Sequence, residues 1–374
     1  SSSTLTFRGS LELERRHAAA AFAAGAFTLR PGLAPCEDVE AVLARPLAWS
    51  QPLVPATPRP SPAGDPVTLE NDSGLAAGTL AWTLDGKTSR RAVIVKGTFD
   101  LAPTGGPVTL APTQDALHGD HLADGSDPAT QELDRATDFV PLKPRADVLL
   151  RGTAHAPPHK STALVSLTLG SLRARVVALP PRTWSQDGVP RPSGPFAPVP
   201  LRHANAFGGP GFGPNPAGTG AAPGTPPPLL EDPDRLLRTR TDRVTPATFA
   251  PIAPTWEPRR ALLGSFDPTW QRERWPGLPA DFDPAHFQVA PEALRHPHFN
   301  GDEPFRIESV RPGGAALEGS LPGLRPRAFV VRAGADPVEV TLHLDTVVFD
   351  ADTLRVALVW RGSFDPRATP ARVV

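Results

Sequence analysis

The chain has 374 residues, and its 38 Lys plus Arg against 39 Asp plus Glu give a formal charge of −1. That balance lacks the basic surplus of a nucleic-acid binder or a membrane-surface protein, so neither is expected as a partner. A single cysteine, Cys36, excludes an internal disulfide and any zinc or iron–sulfur site built on cysteines alone.

Residues 1–65 read as an N-terminal extension. Helical patterns fall between Leu11 and Leu47, one of them over Glu37–Ala44. The apolar run Ala18–Phe27 is about ten residues, half of the roughly 20 that span a bilayer. Arg15 and Arg16 before it and Leu33-Ala34-Pro35-Cys36 after it superficially suggest a secretion signal with a lipidated cysteine. Pro35 and the acidic Glu12 and Glu14 argue against that, and a short alanine-rich helix is the plainer reading. No membrane span is expected, and cytoplasmic residence is favoured. The absence of methionine implies a processed, truncated or engineered start; the absence of tyrosine has no physical account. A proline-rich linker, Pro52–Pro66, closes the extension and sets a boundary near residue 65.

Beyond it, 66–374 reads as one β-rich domain. With 49 prolines and 32 glycines in the chain, short strands joined by long stiff loops and few short helices are expected. Asp85-Gly86 between Thr79–Leu84 and Ala92–Phe99 predicts a hairpin. A second follows from the alternation in Thr162–Leu169 and Leu172–Val176 around Gly170-Ser171. The third joins a strand over 338–345 to Leu354–Arg361 across an Asp350–Thr353 turn. Hairpins with one apolar face predict antiparallel sheets packed as a sandwich or a partly open barrel, with Pro180–Leu229 draped over them. A weak echo, Lys96-Gly97-Thr98-Phe99-Asp100, Gly264-Ser265-Phe266-Asp267-Pro268 and Gly362-Ser363-Phe364-Asp365-Pro366, places Phe in a core and Asp on a turn backbone.

Several stretches invite a chemical reading. Ala206–Gly220 carries six glycines and three prolines. A phosphate cradle needs consecutive free N–H groups at a helix start, whereas Pro210, Pro214 and Pro216 remove three of them and no helix pattern follows. A rigid loop is the alternative. Asp85-Gly86-Lys87-Thr88 resembles the end of a Walker motif but has Ala81 in place of its first glycine, so it reads as a turn. His296 and His298, with Asp302 and Glu303, form a weak metal candidate, since residues two apart share one face of an extended segment. Asp281, Asp283, Asp302 and Glu303 near Trp270 and Trp275 suit acid–base hydrolysis of a glycan, against the commoner role of aspartate in turns. Arg235, Arg238, Arg240 and Arg243 offer a patch for an acidic partner or, more simply, a solvated face. No nucleophile elbow occurs.

A series of landmarks appears in order: Val95-Lys96-Gly97-Thr98-Phe99; Pro141-Leu142-Lys143-Pro144 with Ala146-Asp147-Val148; Arg182-x-Trp184; Pro195-Phe196; Ala206-Phe207-Gly208-Gly209; Gly213-x-Asn215-Pro216-x-Gly218-x-Gly220. Then come Pro251-Ile252, Trp256-x-Pro258-Arg259, Gly264-Ser265-Phe266-Asp267 with Trp270, Leu278-Pro279-x-Asp281-Phe282-Asp283 and Gly301-Asp302-Glu303. Over roughly residues 66–365 this resembles the domain of unknown function 2169 family. His203 and Phe266 stand where tyrosine is expected in relatives. Members of that family lie in bacterial type VI secretion clusters, so the resemblance implies a cytoplasmic, non-enzymatic adaptor or chaperone without cofactor. Its partners would be a secreted effector and the spike and tip proteins.

On that reading Trp256, Arg259, Trp270, Trp275, Phe207 and Asn215 face the partner. Gly208, Gly209, Pro216, Gly218, Asp267 and Asp281 shape loops, and Arg259 pairs with Asp281 or Asp302. The alternatives are a carboxylate-dependent hydrolase of a glycan or other polymer, and a structural component of a secretion or phage-like particle.

Overall fold

Alternating residues set the sheets. In Ser89–Asp100, Val95 and Phe99 are buried in apolar clusters while Lys96 and Thr98 point the other way, the period of a strand with two distinct faces. A computed structural model describes residues 67–374 apart from 104, 126, 128–129 and 367–370. The extension 1–65, with its expected helices, linker and Cys36, lies outside the described residues.

In chain order the strands begin with β1 (Thr68–Leu69), β2 (Ala76–Thr83), β3 (Ser89–Asp100), β4 (Thr109–Leu110) and β5 (Ala146–Arg151). They continue with β6 (Ala163–Leu169), β7 (Leu172–Ala178), β8 (Leu230–Glu231), β9 (Arg295–His296), β10 (Pro304–Glu308) and β11 (Leu317–Ser320). The last are β12 (Ala328–Arg332), β13 (Val338–Val340), β14 (His343–Asp350), β15 (Arg355–Phe364) and β16 (Ala371–Val373). One short α-helix, α1 (Pro268–Glu273), stands in the loops between β8 and β9.

The protein is mainly β, and the described sheets do not close into a barrel. A seven-stranded sheet runs β9-β5-β14-β15-β3-β2, with β4 also on β3; a five-stranded sheet runs β8-β7-β6-β10-β11; a four-stranded one runs β1-β16-β12-β13. Phe99, Val148, Leu150, Val347, Phe349 and Leu358 of the first meet Val165, Leu167, Phe305 and Ile307 of the second in one core. Burying each such side chain contributes about 1.5–3 kcal/mol, which fixes the face each sheet turns inward. The four-stranded sheet covers the rest of that face through Ala328, Val330 and Val340 against Val93 and Val95. The sandwich, with loops draped over it, is the expected architecture.

Two expectations need correction. The first two hairpins form in the expected places, but the predicted strand over 338–345 divides. Its first part, β13, pairs with β12 in the four-stranded sheet, while β14 pairs with β15 in the seven-stranded one, with a register shift between Leu344 and Thr346. Alternation fixes a face, not a sheet. Nor is pairing antiparallel throughout: β5 and β14 are adjacent and parallel, as are β1 and β16. Parallel neighbours need a crossover, and here residues 152–342, the five-stranded sheet included, lie within it.

Candidate functional site

The glycine-rich stretch is scaffold. Asn215 is fully buried and its Nδ2 donates to the carbonyls of His203 at 2.9 Å and Phe207 at 3.0 Å. Phe207–Gly208 and Thr219–Gly220 close the loop as a short parallel pair. A Cβ on Gly208 would sit 2.1 Å from the Asn215 carbonyl oxygen, and one on Gly218 2.4 Å from Asn215 Nδ2, so only glycine fits at either. Gly209 adopts φ +133°. Phe207 is buried with its ring edge-on to Phe212 at 5.2 Å. Asn215 and Phe207 therefore face inward, which corrects the expectation that they meet a partner.

Trp256 and Arg259 are corrected in the same way. Trp256 is buried, donates Nε1 to the Thr130 carbonyl and packs edge-on against His203 at 4.9 Å. Arg259 is also buried, giving Nε to the His286 carbonyl at 2.9 Å and Nη1 to the Ile252 carbonyl at 2.6 Å. Burial lowers its pKa to about 10, partly offset by Asp120 and Asp147. It pairs with neither Asp281 nor Asp302; it pins two loops through their carbonyls. His203, buried beside these residues, has its pKa lowered to about 4 by burial, and its Nδ1 has no partner.

The carboxylates near the tryptophans serve the backbone. Asp281 accepts from Ser265 N at 2.9 Å and Ser265 Oγ at 2.8 Å, which holds its carboxyl below the usual range. Asp267 caps α1 through Trp270 N at 2.8 Å, and Asp283 caps the 3₁₀ turn Pro284–Phe287 through Ala285 N at 2.8 Å. Glu303 accepts from Asn300 N at 2.6 Å and Gly301 N at 2.9 Å. These bonds take up the carboxylates on which a hydrolase reading relied, Asp302 apart. The imidazoles also diverge. His296 stacks on Phe299 at 4.5 Å and contacts Ser171 Oγ at 3.0 Å, whereas His298 stacks on His343 at 5.0 Å. Among the described residues no group of three or more His, Cys, Asp or Glu converges as a metal site.

Trp270 and Trp275 do come together. Asp267 and Pro268 start α1, and the chain turns back after it so that Trp270 Nε1 donates to the Gly277 carbonyl at 2.7 Å. Trp270 lies edge-on between Phe266 at 4.8 Å and Trp275 at 5.4 Å, and Trp275 is left 40% exposed. This knuckle is clamped to the tip of the β2–β3 hairpin. Leu278 N and Arg274 Nη2 both donate to the Leu84 carbonyl, at 3.1 and 3.0 Å. A Cβ on Gly86, at φ +75°, would lie 2.2 Å from the Arg274 carbonyl oxygen. A rigid exposed indole can anchor a protein surface.

One feature was missed by sequence reasoning. The face of the seven-stranded sheet turned away from the sandwich is charged and lies under residues 114–118 and 134–143. Lys96 pairs with Asp138 at 3.0 Å, Lys143 with Asp147 at 2.8 Å, Arg151 with Asp134 at 2.8 Å, and Arg361 with Asp345. A cavity of about 140 Å³ lies among them. Their signal was the polar half of each alternation, Lys96 in β3 and Arg355 and Arg361 in β15, which by itself reads as solvent-facing.

No helix among the described residues is long and apolar enough to cross a membrane. No curated protein and no solved structure matches the chain. A family model described as an uncharacterized protein conserved in bacteria, domain of unknown function 2169, matches residues 86–361, from the hairpin tip through the middle loops and the knuckle into β15. Several landmarks of the resemblance, Lys96, Asp147, Phe207, Asn215, Trp256 and Arg259 among them, are buried, and the chain belongs to the domain of unknown function 2169 family.

Proposed function

We propose that the protein is a non-enzymatic adaptor that grips another protein through the aromatic knuckle of Trp270 and Trp275. On this reading the partner is a type VI secretion effector, which the adaptor carries to the spike and tip proteins in the cytoplasm. The observation that carries it is Trp275, exposed on a loop that Asp267, Arg274 and Gly86 hold rigid. An anchor ordered before it binds loses little side-chain freedom on binding.

The test is co-purification with the effector and spike proteins encoded beside its gene, using the wild type and Trp275→Ala. Loss of an exposed aromatic anchor costs about 2 kcal/mol or more at an interface centre, a fall of about 30-fold in affinity. Capture of an effector that weakens by this amount in the variant supports the reading. Failure of every neighbouring component to bind, or binding indifferent to Trp275, overturns it.

A further inference from the structure

Two strand edges stand open at one end of the molecule. Among the described residues β2 has only β3 beside it in its sheet and β13 has only β12. The outward N–H and C=O groups of both are therefore without ladder partners. Proline or a charged side chain commonly blunts such an edge, and β2 contains neither.

A groove of about 860 Å³ is lined by Trp82 at the end of β2, by β13, and by residues of β3, β12, β14, β15 and 141–143. Leu84, beyond β2, and Val338, in β13, line it while 46% and 57% exposed. Four cations, Arg90, Lys143, Arg332 and Arg361, and three carboxylates, Glu339, Asp345 and Asp365, line it. Among the described residues Arg90 and Arg332 have no carboxylate within ion-pairing distance, and Arg332 spends one Nη2 bond of 2.9 Å on the Asp365 carbonyl. Three buried donors of the lining, Trp82 Nε1, Arg332 Nε and Arg361 Nε, have no acceptor among the described residues. Its three carboxylates are engaged: Glu339 accepts a fork from Arg327 at 2.8 and 2.9 Å, Asp345 pairs with Arg361, and Asp365 is not free either. The groove thus offers exposed apolar side chains, open backbone edges and two arginines without an ion pair among the described residues.

We propose that this groove binds an extended peptide segment that adds as a strand along β2 and presents an acidic side chain to Arg90 and Arg332. Strand addition supplies main-chain hydrogen bonds without regard to sequence, and alternate side chains supply selectivity. An apolar residue meets Leu84 and Val338, and a carboxylate takes a charge-assisted bond from an arginine. The inference goes beyond the adaptor reading and uses residues other than the Trp270–Trp275 pair.

Fluorescence anisotropy on the full chain tests it, with a labelled heptapeptide of alternating valine and glutamate as probe. Two controls replace glutamate by lysine or put proline at the centre. The acidic peptide is expected to bind, and both controls to bind at least about tenfold more weakly, the loss of one good charge-assisted contact or ladder bond. Arg90→Gln and Arg332→Gln should each weaken binding about tenfold, and Val338→Asp should abolish it. Trp275→Ala should leave peptide binding unchanged, so failure here and failure of the adaptor reading are distinguishable. No binding of the acidic peptide, equal binding of the lysine peptide, or indifference to Arg332→Gln overturns the proposal. So does a dimer in sedimentation that Val338→Asp dissociates, since a second copy would then fill the edge. If an arginine variant loses its native circular dichroism, Val338→Asp, at an exposed position, decides the outcome.

Discussion

His203 shows how a single buried group couples stability to pH. Its folded pKa of about 4 lies below the ordinary 6.5 because burial disfavours the charged ring. The unfolded chain therefore takes up a proton at His203 as pH falls through 6.5, while the folded chain does so only near 4. Stability is fully present above pH 6.5 and is lost as pH falls towards 4, by about 3 kcal/mol from this group. Urea unfolding of the wild type and His203→Leu at pH 7 and 4.5 should show a shallower loss in the variant. Equal losses in both would remove His203 as the cause. Asparagine and arginine were legible in sequence as important but not as buried. A composition of Gly, Pro, Asn and Arg marks a loop that needs internal bonds as readily as one that meets a partner, and Asn215 and Arg259 took the first course.

At the scale of elements, the joint between α1 and the β2–β3 hairpin depends on Gly86. Alanine there would strain a left-handed backbone and strike the Arg274 carbonyl, at a cost of about 1–3 kcal/mol. The clamp should loosen before the sheet does. Hydrogen exchange is expected to show lost protection at the Leu278 amide, which bonds the Leu84 carbonyl, with β3 amides unchanged. Unchanged protection at Leu278 would show the knuckle to be held by other contacts. Hairpins were legible because alternation and a turn sit within a few residues, as in β6–β7 about Gly170-Ser171. The β5–β14 pairing was not, since no local pattern links Asp147 to Thr346 across the chain between them. The knuckle was half legible: tryptophans marked it, but the Gly86 contact that fixes it is distant in sequence.

For the whole molecule, the five-stranded sheet is not a separable unit. Its chain leaves the seven-stranded sheet from β5, touches it again at β9 and returns through β14, and the two sheets share one core. Thermal or denaturant unfolding should accordingly be one cooperative transition by far-ultraviolet circular dichroism and tryptophan emission alike. Two separated transitions would show that the sheets fold independently. Sheet-on-sheet architecture was readable from one-sided strands, and the assignment of strands to separate sheets was not, because Val338–Val340 and His343–Asp350 look like one strand until their partners are known.

The place of β14 and β15 between β5 and β3 also orders events during synthesis. The ribosome delivers β3 and β5 long before residues 343–364, which fill the gap between them. At about 5–20 residues per second the wait lasts on the order of 10–50 s. Until then the apolar side of β3, Val95 and Phe99 among it, lacks the neighbour that completes its ladder. A transcript cut short before β15 should yield an insoluble product, however complete its middle region.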